Sequence, residues 1–259
     1  MIDLRSEARR GARVAAFGTL TTGMLGTFVL HERLGGEADR RARRERYLHV
    51  WSGALIDLFG IRLQVVDESA GAGGLLAPDG PHGRLVVANH RSTIDIGLLL
   101  HVFGGHMVSR EDLAHWPLIG RAAKSVETIF VDRESTTSGV QAIRQMSRYL
   151  EMRRSVTVFP EGTTFPDDEV RPFHKGAFVA AKAADARILP VGLAYASGAD
   201  AAYVEETFVE HLGRIAAARE TRVALVVGPP LAPRANASRT AEAARDAVAE
   251  LVRRARALL

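Results

Sequence analysis

Apolar and polar positions follow two rhythms along this chain. Short β-branched runs, RLVVAN (84–89), HMVS (106–109), TIFVD (128–132), SVTVF (155–159), RILPVGLAY (187–195) and RVALVVG (222–228), read as strands. Between them, residues 137–153 place Val140, Ile143, Ser147 and Leu150 at helical spacing, and 175–184 is alanine-rich. The last stretch, 239–259, sets Ala244, Val248, Leu251, Val252, Ala255, Leu258 and Leu259 on one face with charges opposite, the pattern of a helix that covers a sheet. Strands alternating with helical segments predict an α/β domain with a mostly parallel central sheet flanked by helices.

The N-terminal part has a different texture. Residues 14–30, VAAFGTLTTGMLGTFVL, carry no charge over seventeen positions. Arg5, Arg9, Arg10 and Arg13 precede them, and Arg33, Arg40, Arg41, Arg43 and Arg44 follow. A bilayer core needs roughly 20 apolar residues, and glycines and threonines weaken this segment, so it reads as a short span, an interfacial helix or a helix buried against the domain. The basic flanks favour a membrane-associating helix. The next segment, YLHVWSGALIDLFGIRLQVV, spaces Trp51, Leu55, Leu58 and Phe59 as a helix and turns strand-like at Ile61, and Trp51 suits a headgroup anchor or a core site. A helical membrane-associating region is therefore expected over 1–60, and an α/β domain over 61–259. The Gly- and Pro-rich ESAGAGGLLAPDGPHG, just before Arg84, reads as a surface loop, and its glycines lack the spacing of a dinucleotide fingerprint.

Composition narrows the chemistry. The 259 residues are 47% hydrophobic, enough for a sizeable core. A net charge of +4 suits anionic partners such as phosphate head groups or a membrane surface, while 6% aromatics with no basic run interleaved argue against nucleic acid. The absence of cysteine excludes disulfides, thiolate metal sites and a cysteine nucleophile.

Ligands of open α/β sheets bind beyond the carboxyl ends of the strands. Three predicted strands end in polar runs: Asn89 to Asp95, Asp132-Arg133, and Pro160 to Thr164. In NHRSTID, a turn from strand into helix brings Asp95 back to His90, and a histidine held by a carboxylate is a tuned general base. Ser92 is too close in sequence to complete a triad, no G-x-S-x-G elbow is present, and metal-ligand spacing is missing, so no metal is expected. His101, His106, His115 and His211 read as structural histidines. What is left is a base with no protein nucleophile, suited to direct transfer of an activated group to a substrate hydroxyl.

NHRSTID resembles the Asn-His-x-x-x-x-Asp motif of the glycerolipid acyltransferases, the 1-acylglycerol-3-phosphate and related lysophospholipid acyltransferases. TIFVDR (128–133), FPEGTT (159–164) with RPFHKGAF (171–178), and ILPVGL (188–193) resemble their later blocks in order and interval. The resemblance implies that His90 and Asp95 are catalytic, with His90 taking the acceptor's proton as its hydroxyl attacks the thioester of acyl-CoA or acyl-carrier protein. It further implies that Arg133 binds the acceptor phosphate, that Glu161, Gly162 and Thr163 form the acceptor-binding turn, that Lys175 is a second cation, and that Asn89 belongs to the substrate-binding set. No cofactor beyond the acyl donor is implied. A lyso-lipid acceptor, a membrane surface as partner and a place on the cytoplasmic face of a membrane complete the expectation.

Two positions depart from the family pattern. Thr164 stands where the third block usually has arginine, and Glu127 where the second usually has glycine. A missing arginine removes a charge-assisted phosphate contact of about 1.5 to 3 kcal/mol, which Arg171, Arg110 or Lys175 can offset. Alternatively the acceptor is another lyso-lipid, such as lyso-ornithine lipid. A non-catalytic lipid-head-group binding protein and a thioester hydrolase are the remaining readings.

Overall fold

The computed structural model describes residues 4–36, 39–69, 83–196 and 201–259. Every predicted strand is present, with each end within one residue of its expected place, and Ile61 opens another. They form one sheet of β1 (Ile61–Asp67), β2 (Arg84–Ala88), β3 (His106–Arg110), β4 (Ile129–Val131), β5 (Ser155–Val158), β6 (Arg187–Tyr195) and β7 (Thr221–Val227), in the order β1-β7-β6-β2-β5-β3-β4. The five strands from β6 to β4 are mutually parallel. β7 runs antiparallel to β6, and β1 pairs parallel to β7, so this edge is reversed.

Both faces of the sheet are covered, which is why β2 reads as an unbroken apolar run rather than an alternation. The pleat sends Leu85 and Val87 to one side, with Leu150, Val156, Phe178 and Val248. It sends Val86 and Ala88 to the other, with Leu98, Leu99, Phe103 and Leu193. Helices α3 (Ile94–Phe103), α4 (Ile119–Ser125), α5 (Thr136–Glu151), α6 (Gly176–Ala183), α7 (Phe208–Ala217) and α8 (Ala237–Ala257) supply the covering layers. Ser135 and Asn236 cap α5 and α8 by accepting backbone N–H groups one turn in, and Thr207 and Glu210 form a capping box at α7. The apolar face of α8 is buried as predicted. It packs so closely on β6 that a Cβ at Gly192 would lie 2.3 Å from the Leu251 carbonyl carbon. In α5 the buried stripe is Ala142, Met146 and Leu150, and Val140 is exposed. Of the expected face, Leu150 is buried and Ile143 packs against the same cluster, while Val140, Ala142, Ile143 and Met146 all border a cavity that the sequence could not show.

The N-terminal part is two helices, α1 (Leu4–Leu34) and α2 (Arg40–Leu58). α1 spans 31 residues, about 46 Å at 1.5 Å per residue. It is long and apolar enough to cross a bilayer, and only 17% of its most apolar window is buried. Phe17, Leu48 and Phe59 nevertheless belong to the same apolar cluster as Val86 and Leu98. The basic flanks face protein more than the pattern suggested. Arg9 donates to Ala217 O at 2.9 and 2.6 Å and Arg13 to Ala218 O at 2.5 Å, satisfying carbonyls at the carboxyl end of α7. Arg40 and Arg43 pair with Glu32, Arg41 with Glu45, and Arg44 with Glu127. Trp51 is partly buried and gives its indole N–H to Thr21. Of the expected surface loop before Arg84, residues 70–82 lie outside the described residues.

Candidate active site

β2 ends at Ala88, and its ladder is continued by a side chain. Asn89 Nδ2 donates to Leu193 O at 3.0 Å and its Oδ1 accepts from Leu193 N at 2.8 Å, so the amide imitates one more residue of strand pairing with β6. The chain then turns, and α3 begins at Ile94. This turn brings His90 Nδ1 to 2.9 Å from Asp95 Oδ2. The carboxylate only accepts, so Nδ1 carries the ring proton and Nε2 is the basic nitrogen.

Asp95 is completely buried and held by donors on every side. Its Oδ2 also accepts the N–H groups of Arg91 at 2.7 Å and Ser92 at 2.8 Å, and its Oδ1 accepts the hydroxyl of Tyr195. Burial, and then the Asp95 charge, hold Tyr195 well above the ordinary phenol range, so it remains a donor. The His90 ring lies flat on Phe159 at 3.8 Å between centroids. Backbone bonds fix the remaining freedom: His90 N–H donates to Glu161 Oε2 at 2.7 Å, and Phe165 N–H to His90 O at 3.1 Å.

His90 faces a cavity of about 790 Å³. Phe17, Trp51, Leu55, Phe59 and Leu212 line an apolar arm, while Arg110, Asp112, Asp132, Arg133, Thr163 and His174 line polar wall. The parallel strands present their carboxyl ends to this cavity, but β4 is not a neighbour of β5: β3 lies between them and adds Ser109 and Arg110.

The predicted site residues separate into two groups. His90, Arg133, Gly162 and Thr163 line the cavity. Gly162 has φ +83° and a Cβ there would come within 3.1 Å of the His174 ring, so the turn needs glycine. Arg133 makes no hydrogen bond or ion pair with any described residue. Asn89, Glu161 and Lys175 do not line the cavity. Asn89 is spent on Leu193. Glu161 accepts the N–H groups of His90 and of Arg171 (2.9 Å), and burial pushes its carboxyl up to about 7. Lys175 is exposed at the start of α6.

The departures acquire a structural meaning. Thr164 donates to Tyr203 O at 2.5 Å, tying the motif turn to the segment ahead of α7. Arg171 is engaged by Asp167 and Glu169, and Arg110 is chelated by Asp112 through two 3.0 Å bonds, so neither is an unpaired replacement for the missing arginine. Glu127 has φ +60°, a conformation glycine adopts freely. Its side chain pairs with Arg44 and Arg154, an ion-pair cluster that glycine would not supply.

Sequence reasoning missed Tyr195, Ser92 and His211 as parts of the site's surroundings. The available signal for Tyr195 was a hydroxyl at the carboxyl end of an otherwise apolar strand; for His211 there was none.

The family described as Acyltransferase matches residues 77–194. A lyso-ornithine lipid O-acyltransferase of Pseudomonas aeruginosa is 30% identical over 80% of this chain and 77% of that protein. A 1-acyl-sn-glycerol-3-phosphate acyltransferase of Neisseria gonorrhoeae is 31% identical over 47% of this chain and 48% of its own length. This chain thus spans about half of the Neisseria relative and over three quarters of the Pseudomonas one. The fold is that of the crystal structure of the 1-acyl-sn-glycerophosphate acyltransferase PlsC from Thermotoga maritima, with a TM-score of 0.71 at 20% identity over 96% of this chain and 97% of that one. With its motif blocks, its paired His90 and Asp95 and these relatives, the chain belongs to the acyltransferase family.

Proposed function

We propose that this protein moves a fatty acyl group from a thioester donor, acyl-CoA or acyl-carrier protein, to the free hydroxyl of a lyso-lipid. One observation carries the reading: a histidine whose Nδ1 is held by a fully buried, multiply bonded carboxylate faces an apolar cavity bounded by Arg133, which makes no hydrogen bond or ion pair with any described residue. His90 Nε2 takes the hydroxyl proton as the oxygen attacks the thioester carbonyl, and Asp95 stabilises the imidazolium. Collapse of the tetrahedral intermediate breaks the carbon–sulfur bond, and the leaving thiolate recovers the proton from His90. No acyl-enzyme forms, in keeping with the burial of the motif's own serine, Ser92, away from the cavity. The arm between α1, α2 and α3 takes an acyl chain, and a lipid substrate enters beside α1 with the protein resting on the cytoplasmic face of a membrane.

The first acceptor to consider is 1-acylglycerol-3-phosphate, with Arg133 on the phosphate. A second is lyso-ornithine lipid, and the charge balance of the cavity favours weighing it: Arg110 and Arg133 are matched by Asp112, Asp132 and Glu134. A dianionic phosphate asks for more positive charge than that, whereas a zwitterionic amino-acid head group has a use for both signs. Transfer from labelled palmitoyl-CoA to each lyso-lipid, by the intact chain and by Arg133→Ala, tests the reading. An acylated lyso-lipid is expected, with KM for the acceptor raised about tenfold in the variant. Free fatty acid as the sole product with both acceptors would sink it in favour of a hydrolase.

A further inference from the structure

Behind His90 and Asp95 lies a second histidine–carboxylate pair that the proposed chemistry does not use. His211 on α7 is completely buried, and its Nδ1 lies 2.8 Å from Glu206 Oε1, a carboxylate also ion-paired to Arg214. The carboxylate only accepts, and although Arg214 Nη2 also lies 3.0 Å from Nδ1, its two hydrogens go to Glu206 Oε1 and Ala202 O, so Nδ1 keeps its proton and His211 Nε2 is left as a bare acceptor. It lies 3.0 Å from Ser92 Oγ, which donates to it. Ser92 is itself buried, and its backbone N–H is one of the donors on Asp95. Its hydroxyl also lies beside Tyr195, the residue that donates to the other oxygen of Asp95. One hydroxyl hydrogen therefore has two acceptors, and the geometry gives it to His211.

That choice bears on His90. Hydrogen bonds in a chain polarise one another. Were Ser92 to donate to the Tyr195 oxygen, Tyr195 would become a stronger donor to Asp95 and draw negative charge away from the His90 ring. Neither Glu206, His211, Ser92 nor Tyr195 lines the cavity, so whatever they do is done through Asp95. Besides Glu206 and Arg214, the groups facing His211 are Ser92, Asp95 and Tyr203, while Arg9, Arg10 and Arg13 of α1 approach other parts of α7. Burial lowers the basicity of His211, which keeps it neutral and accepting.

We propose that His211, braced by Glu206, is a positioning residue for acyl transfer: by taking the Ser92 hydroxyl hydrogen it fixes the turn that holds Asp95 and leaves the Asp95 charge directed at His90. This rests on the reading of His90 as the base, and the test separates the two. Steady-state transfer from labelled palmitoyl-CoA, to 1-acylglycerol-3-phosphate and separately to lyso-ornithine lipid, is followed against pH for the full chain. His211→Leu is expected to lower kcat about tenfold with KM within about twofold, and to move the acid limb of kcat/KM to lower pH. His211→Gln, whose amide oxygen can take the Ser92 hydrogen, recovers most of kcat and restores the limb. A His211→Leu protein with lowered urea stability but unchanged kcat and pH profile overturns the proposal. If that variant does not fold, Ser92→Ala replaces it, with a kcat loss of about five- to tenfold expected at unchanged KM, and an unchanged kcat overturning the proposal. Activity surviving in His90→Ala would instead overturn the underlying reading.

Discussion

Two histidines in this fold sit in nearly the same stacking geometry and have opposite electrostatic surroundings. His90 lies on Phe159 at 3.8 Å and 8° between planes; His106, at the start of β3, lies on Tyr149 at 3.7 Å and 5°. His90 has Asp95 on one nitrogen and a cavity in front of the other. His106 donates from Nδ1 to Glu127 O at 3.1 Å and takes Arg154 Nη1 at 3.3 Å on the other side. Burial, then Arg44, drives its pKa down to about 3. Glu127, whose carboxylate lies 3.9 Å from His106 Nδ1, is committed to Arg44 and Arg154. An aromatic platform thus makes a histidine rigid, and the charge and access around it decide whether it is a base or a strut.

The comparison breaks most visibly at His90. His90→Ala is expected to cut kcat by about 10³-fold with the fold intact, read as labelled acyl transfer alongside circular dichroism. Asp95→Asn should cost about 10²-fold or more, since an amide no longer fixes the tautomer or stabilises the imidazolium. Glu127→Ala tests the other histidine's surroundings. It leaves buried Arg44 without its counter-ion and is expected to cost about 2 to 4 kcal/mol in urea unfolding, with kcat per folded molecule unchanged. A large kcat loss there would mean that the two regions are not separate.

The smallest effect is a slope. His106 has its pKa depressed on folding, from 6.5 to about 3, so between those values the unfolded chain binds the extra proton and stability falls as pH falls. Glu161 is raised from 4.5 to about 7, so in that window the folded chain holds the extra proton and stability falls as pH rises. His106→Gln removes the first slope and leaves the second. Its destabilisation, on the order of 1 kcal/mol at pH 7, should shrink at pH 5. Urea midpoints at the two pH values check this, and equal destabilisation at both would contradict the assignment.

What was legible in the sequence was local. A five-residue interval from strand end to helix start is enough to predict that Asp95 returns to His90, because a single turn settles it. The order of strands and helices predicted the layered sheet for the same reason. Tyr195 stands 100 residues beyond Asp95 and His211 119 beyond Ser92, and no periodicity encodes which strand ends and helices meet. Glu127 was visible as an odd residue in its block, but its positive φ and its hold on Arg44 exist only once α2 has folded against the sheet. The reversed direction of β7 was equally hidden, since an apolar run looks the same read toward either end.

The crowding of Asp95 has a consequence for how the proposed reaction feels its surroundings. In water, moving a proton onto an imidazole obliges nearby dipoles to swing toward the new charge, and that reorientation is part of the barrier. Here the dipoles that stabilise the carboxylate beside His90 are two peptide N–H groups and a phenol, anchored by the backbone, the sheet and a buried hydroxyl. They already point where they must when the ring becomes charged, so the reorganisation is completed as the chain folds rather than at each turnover.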